Sequence, residues 1–151
     1  MSGAKLHLAG LDDLERLVPM VLAFHQDDGI KSDEDHVRKA ITPILEGLPY
    51  GEIYLAGPRQ APLGYAFIVH SWSIEFGALD IYVDEIFLRP PVRGRGLGTQ
   101  VLGALTALCR EKGANSMALV VGHDNAPARA LYRRGGFVRY EGYDMLWKSL
   151  T

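Results

Sequence analysis

Apolar residues recur along this chain with two periods, and the places where the period changes mark out its elements. Alternation over residues 4–8, where Leu6 and Leu8 flank His7, predicts a short first strand. Asp12 then stands three residues before Glu15, a helix-start pattern, ahead of Leu14, Leu17, Val18, Val21 and Leu22 at helical spacing. Pro19 inside that stretch predicts a kink or a break. Ser32 with Asp35 opens a second helical stretch carrying Val37, Ala40, Ile41, Ile44 and Leu45, disturbed by Pro43. The period then shortens to two. "EIYLAG" (52–57) and "LGYAFIVHSW" (63–72) flank the turn "PRQAP" and read as a hairpin, and "ALDIYVDEIFL" (78–88) reads as a further strand. A helix running to about Lys112 has Val101, Leu102, Leu105, Leu108 and Cys109 on one face and Gly113 as its stop. Residues 116–122 predict a buried strand, 125–134 a short helix ended by Gly135, and 137–150 a closing strand pair. The sum is an α/β or α+β fold, a mixed sheet flanked by helices, with no internal repeat and no linker, so that 1–151 reads as one domain.

Composition narrows this picture. With 48% hydrophobic and 23% charged residues the chain is globular in type, and a net charge of −2 gives no general basic surface for nucleic acid or anionic lipid. Any positive site must be local. The opening residues lack an apolar core of signal-peptide length, and no stretch approaches ~18 apolar residues, which predicts a cytoplasmic protein that keeps away from membranes. Cys109 is alone, so it forms neither an internal disulfide nor a thiolate metal cluster, and its place on an apolar helix face reads as core. The histidines at 7, 25, 36, 70 and 123 show no close metal spacing, and His25 and His36 sit among solvated acids, so no metal is expected.

One stretch carries the chemistry. "RPPVRGRGLGT" (89–99) packs three glycines and three arginines between a strand and a helix. Backbone N–H groups of such a turn converge on an anion, and the helix dipole adds positive charge there, so the stretch reads as a phosphate site. The plainer reading is a tight turn whose glycines only permit positive φ. A nucleotide P-loop would need a lysine that is absent. A dinucleotide fingerprint needs Gly-x-Gly-x-x-Gly, whereas Gly94, Gly96 and Gly98 give Gly-x-Gly-x-Gly, and only 53 residues follow Gly98.

Arg93-x-x-Gly96-x-Gly98 after a strand, the helix behind it, and "DNAPARALYRRGGF" about thirty residues later together resemble the GNAT family of N-acetyltransferases. The resemblance covers the order of elements from 4 to 150. It implies a mostly antiparallel central sheet flanked by helices, and acetyl-CoA as cosubstrate. It further implies that Ile86, Phe87 and Leu88, the loop residues Arg93, Gly94, Arg95, Gly96, Leu97, Gly98 and Thr99, and the helix residues Asn125, Ala128 and Tyr132 hold that cosubstrate. "IYVDEIFLRPPVRGRGLG" is most similar to the acidic strand of diamine, polyamine and thialysine acetyltransferases. Family likeness also allows a homodimer.

The chemistry of amide formation agrees with this. An alkyl amine with a pKa near 10 is mostly protonated at neutral pH and must lose a proton before it attacks a thioester. Asp84 and Glu85, in the strand entering the loop, are the candidate acceptors of that proton. Successive strand residues point to opposite faces, so only one of the two faces the reacting centre unless a bulge intervenes, and Asp84 matches the family position. Tyr132 lies seven residues after Asn125 and four after Ala128, on one helical face, where its phenol can protonate the departing thiolate. The plainer reading of that face is core packing. Asp27 and Asp28 in "FHQDDG" (24–29), with Trp72 and Glu75 before the acidic strand, are candidates for meeting a cationic acceptor. The expectation is therefore transfer of acetyl to a small cationic primary amine by direct attack in a ternary complex. A peptide or protein acetyltransferase, a non-catalytic acyl-CoA sensor and a dinucleotide-binding fragment are the alternatives.

Overall fold

The alternation of the middle strands builds the protein. In the computed structural model, which describes residues 4–151, five strands form one sheet in chain order. They are β1 (Leu6–Leu8), β2 (Gly51–Ala56), β3 (Gly64–Ser73), β4 (Ala78–Leu88) and β5 (Ala114–Ala118). Pairing is antiparallel from β1 through β4, and β5 runs parallel to β4. A parallel neighbour needs a crossover, and the helix α3 (Leu97–Glu111) supplies it.

The two faces of the sheet go to different cores. Ile53, Leu55, Tyr65 and Phe87 face α1 (Leu14–Asp27) and α2 (Glu34–Leu45), packing with Leu17, Val21, Val37 and Ile41. Tyr54, Ala66, Ile68, Ile81 and Val83 face the other way, onto Leu105 and Cys109 of α3. A last helix, α4 (Ala126–Arg134), lies beside the start of α3, so close that a Cβ on Gly98 would come within 3.2 Å of Leu131. The charged residue Asp13 is fully buried at the head of α1, where Arg16 (2.7 Å), Arg59 (2.9 Å) and the Gly10 N–H (2.9 Å) all donate to it.

Several expectations need correction. α1 is one continuous helix through Pro19, so no break falls there, and α2 runs through Pro43 to Leu45. α2 is capped not by Ser32 but by Asp33, whose carboxylate accepts the His36 N–H at 2.8 Å. The strand expected at 116–122 is shorter, earlier and exposed or half-buried: it pairs with β4 on one side and, among the described residues, has no neighbour on the other. The closing strand pair at 137–150 does not form. Among the described residues no backbone hydrogen bond joins residues 138–150 to the rest of the chain, and a strand without a partner ladder has nothing to hold it. Instead this arm turns at Gly142 (φ +88°), with Tyr140 and Tyr143 stacked at 5.2 Å, and every residue from 138 to 151 is exposed. No described helix is long and apolar enough to cross a membrane.

Candidate active site

The site begins with a fault in a ladder. Phe67 pairs with Glu85 but Ile68 pairs with Val83, so Asp84 is the extra residue of a β-bulge. The bulge reverses the alternation of β4. Ile81 and Val83 face α3, whereas Glu85 and Phe87 face α1 and α2. Glu85 therefore turns inward, where its two oxygens are held separately: the Tyr65 hydroxyl donates to Oε1 at 2.7 Å, and His25 Nε2 lies 2.9 Å from Oε2. His25 Nδ1 is in turn 2.8 Å from the Ser32 hydroxyl. Burial, followed by the Glu85 charge, pushes the Tyr65 phenol far above its ordinary range, so it stays a donor. Asp84 sits on the bulge beside this group. Partial desolvation and then the Glu85 charge raise its carboxyl, with His25 acting in the opposite direction.

From β4 the chain enters the glycine loop. Gly94 and Gly96 both have φ +77°, a conformation that disfavours any side chain, and nothing lies within 4 Å of where their Cβ atoms would sit. Gly96 is the N-cap of α3, and no side chain caps that helix. Its first N–H groups are therefore unsatisfied from within and border open space. Arg93 closes one edge. Its Nε donates to the Leu88 carbonyl (2.8 Å), its Nη2 to Asp27 (3.1 Å), and its guanidinium lies 5.4 Å from the Phe87 ring centre.

The opposite wall is α4. Asn125 caps it by accepting the Ala128 N–H at 3.3 Å, with Pro127 in the first turn. Tyr132 packs edge-on to Phe137 at 5.9 Å. Burial, then the charge of Asp28, raises its phenol above the ordinary value, so Tyr132 keeps its proton at neutral pH.

Between these walls lies a cleft of about 660 Å³. It is lined by Phe24, Asp27, Asp28, Ile86, Phe87, Leu88, Arg93, Gly94, Gly96, Gly98, Thr99, Asn125, Ala128 and Tyr132, among others. Residues expected from four separate segments thus meet around one space of ligand size. Arg95 and Leu97 belong to the same loop but are not part of the lining. Asp84 and Glu85 are not part of the lining but directly precede the lining residues Ile86 and Phe87 in β4. Trp72 and Glu75 are not brought there: Trp72 pairs with Leu79 and Glu75 occupies the β3–β4 turn, at the far end of the hairpin from Glu85. His25, Tyr65 and Ser32 were invisible as site residues in the sequence. Among the described residues no three His, Cys, Asp or Glu side chains gather as a metal site.

The order of these elements has a counterpart among known proteins: a family model described as the acetyltransferase (GNAT) family matches residues 18–137. The chain belongs to the GNAT acetyltransferase family. This GNAT chain is 28% identical over 114 residues to thialysine N-epsilon-acetyltransferase of Bos taurus, covering 72% of this chain and 66% of that protein. It is 36% identical over 138 residues to mycothiol acetyltransferase of Arthrobacter sp. (strain FB24), covering 89% of this chain and 42% of that one. The chain thus spans two-thirds or less of these curated relatives. A solved structure described as a probable acetyltransferase superposes with a TM-score of 0.87 at 21% identity, over 97% of this chain and 98% of that chain, a likeness of GNAT fold. The GNAT match encloses the end of α1, the bulged strand, the glycine loop and α4, the four segments that bound the cleft.

Proposed function

We propose that this chain is an acetyl-CoA-dependent N-acetyltransferase acting on a small cationic primary amine, with the amine attacking directly in a ternary complex. The observation that carries the reading is the cleft itself, which has an uncapped helix start and bare glycine amides in its wall, with the carboxylates Asp84 and Glu85 directly preceding its lining residues Ile86 and Phe87 in β4. The residues fit the cosubstrate. Amides of 94–98 and Arg93 would take the pyrophosphate, while Ile86, Phe87, Leu88, Thr99, Asn125 and Ala128 would line the rest of its path. When bound, acetyl-CoA supplies an activated thioester. What the chain supplies is proton management: Glu85, fixed by two donors, accepts the ammonium proton directly or through water, and Asp84 beside it holds the ammonium. Tyr132, protonated at neutral pH, donates to the sulfur. The relative named for N-epsilon acetylation of thialysine supports an amine acceptor.

Calorimetric titration with coenzyme A and with NAD separates this from a dinucleotide fragment, which would bind only NAD. Thiol release in a screen of diamines, lysine-like amines, aminoglycosides and N-terminal peptides separates it from a sensor, which releases none, and from a peptide acetyltransferase, which prefers the peptides.

The partner we propose is a second copy of the chain. Val138, Tyr140, Tyr143, Met145, Leu146, Trp147 and Leu150 of the arm are between 74% and 92% exposed. The accessible surface is 10049 Å², whereas a compact chain of 16.6 kDa scales to roughly 7,600 Å². That excess is more than the roughly 800 Å² each partner buries in an ordinary complex. A strand-patterned arm and an unpaired edge, β5, on one chain complement each other between two copies. Light scattering at micromolar concentration should give about twice 16.6 kDa, and Met145→Asp/Trp147→Asp should return the monomer. A wild-type monomer, or a double variant that is still a dimer, would refute it.

A further inference from the structure

Both nitrogens of His25 and both oxygens of Glu85 are engaged in one line that runs Ser32, His25, Glu85, Tyr65. The line joins the loop before α2, the end of α1, β4 and β3, with partners 7, 60 and 20 residues apart in sequence. It is shielded, for the side chains of His25 and Glu85 are 13% and 17% exposed. Neither the glycine loop nor the Tyr132 wall needs it.

The chemistry of the two ends differs. Tyr65 only donates to Glu85. Ser32 is a hydroxyl, able either to donate to a bare Nδ1 or, by rotating, to accept from a protonated one. His25 can therefore gain or lose a proton at Nδ1 while keeping both hydrogen bonds, with Nε2–H always on Glu85 and no side chain displaced. The groups facing His25 are Glu85 and Asp84 from β4, Ser32 from the preceding loop, and Tyr65 behind Glu85; Asp27 and Asp28 follow on its own helix.

We infer that His25 is a positioning residue that fixes the Glu85 carboxylate and sets its basicity through its own charge, with Ser32 as the hydroxyl that lets the charge change in place. This rests on the acetyltransferase reading, in which Glu85 takes the acceptor's proton. With His25 neutral, Glu85 accepts from neutral donors only. Once Nδ1 is protonated, Nε2–H donates from an imidazolium, the negative charge of Glu85 is offset, and the carboxylate is a weaker base.

Two substitutions separate this from a merely structural role. His25→Gln keeps an N–H donor toward Glu85 but cannot change its charge, so kcat/KM at pH 8 should stay within about tenfold of wild type while the acid limb of the rate profile shifts to lower pH. His25→Ala, which leaves Oε2 without its donor, should lose about 100-fold across the whole pH range with unchanged coenzyme A affinity. Equal losses in both variants with an unshifted limb overturn the inference. A readout independent of turnover is the NMR titration of the His25 ring, identified by its absence in His25→Gln. Its midpoint should fall in Glu85→Gln, because the carboxylate 2.9 Å from Nε2 that favours the imidazolium is gone. An unchanged midpoint overturns the inference even in an active enzyme. Failure of every amine to be acetylated, with the coupled titration intact, counts instead against the acetyltransferase reading.

Discussion

Arg93 of the glycine loop donates to Asp27 at the end of α1 at 3.1 Å, so this positive charge of the cleft lining is already tied to a carboxylate. An incoming pyrophosphate must compete with Asp27. Both side chains are about half exposed, which makes the pair worth at most about 1 kcal/mol. Asp27→Asn should therefore tighten coenzyme A binding by up to about fivefold, read by calorimetry, with the gain shrinking as salt is added. Weaker binding would mean that Asp27 holds Arg93 in its working position.

Gly96 has φ +77° and opens α3 beneath the bare amides. Gly96→Asp should abolish coenzyme A binding, since it sets a carboxylate where the phosphates go, while the circular dichroism of the fold persists. Gly96→Ala meets only the backbone strain, of order 1–2 kcal/mol, and should bind measurably. Arg93→Ala should weaken binding less than Gly96→Asp, because the amides remain. Unchanged affinity in a folded Gly96→Asp protein would move the anion site elsewhere.

Much of this was legible in the sequence because it is local. The strand, Gly94–Gly98 and the helix behind them are contiguous, as are Asn125, Ala128 and Tyr132, so spacing alone put each on its face. The facing of Glu85 was not, because it depends on whether Phe67 and Ile68 pair with consecutive or bulged partners across β3 and β4. Had the ladder been regular, Glu85 would share a face with Val83. His25 carries no signal either, since its partner lies 60 residues away and its neighbours are acids that look solvated. The arm misled for the opposite reason: its alternation is real, but a strand is completed by the edge it pairs with, and period 2 says nothing about where that edge is.

Tyr132 is held protonated by burial and by the nearby Asp28 charge. Tyr132→Phe should lower kcat by about 100-fold with little change in acetyl-CoA affinity, as the ring against Phe137 is kept and the donor is lost. Because the phenol is raised, the basic limb of the wild-type kcat profile should lie above the ordinary value of 10.0. Wild-type turnover in the variant would remove Tyr132 from the mechanism.

Asp13 bears on stability alone. Burial works to raise its carboxyl, but the hydrogen bonds from Arg59, Gly10 and Arg16 outweigh that and hold it at about 2, below the ordinary 3.8. A carboxyl depressed in the folded state contributes stability above its unfolded value and loses it as pH falls from about 4 toward about 2. Asp13→Ala, which leaves Arg16 and Arg59 without their acceptor, should cost about 3 kcal/mol in urea unfolding at neutral pH and flatten that acid loss. A variant as stable as wild type would show that the cluster is not holding α1 to the β2–β3 turn.

Whether this cleft moves an acetyl group onto an amine is read directly by mass spectrometry of the amine after incubation with acetyl-CoA. Wild-type protein should add one acetyl group to diamines, lysine-like amines or aminoglycosides, with kcat/KM falling as ionic strength rises, and Asp84→Asn should lose more on these than on neutral aromatic amines. No acetylated amine from any class, in a protein that binds coenzyme A, would contradict the account and leave a sensor in its place.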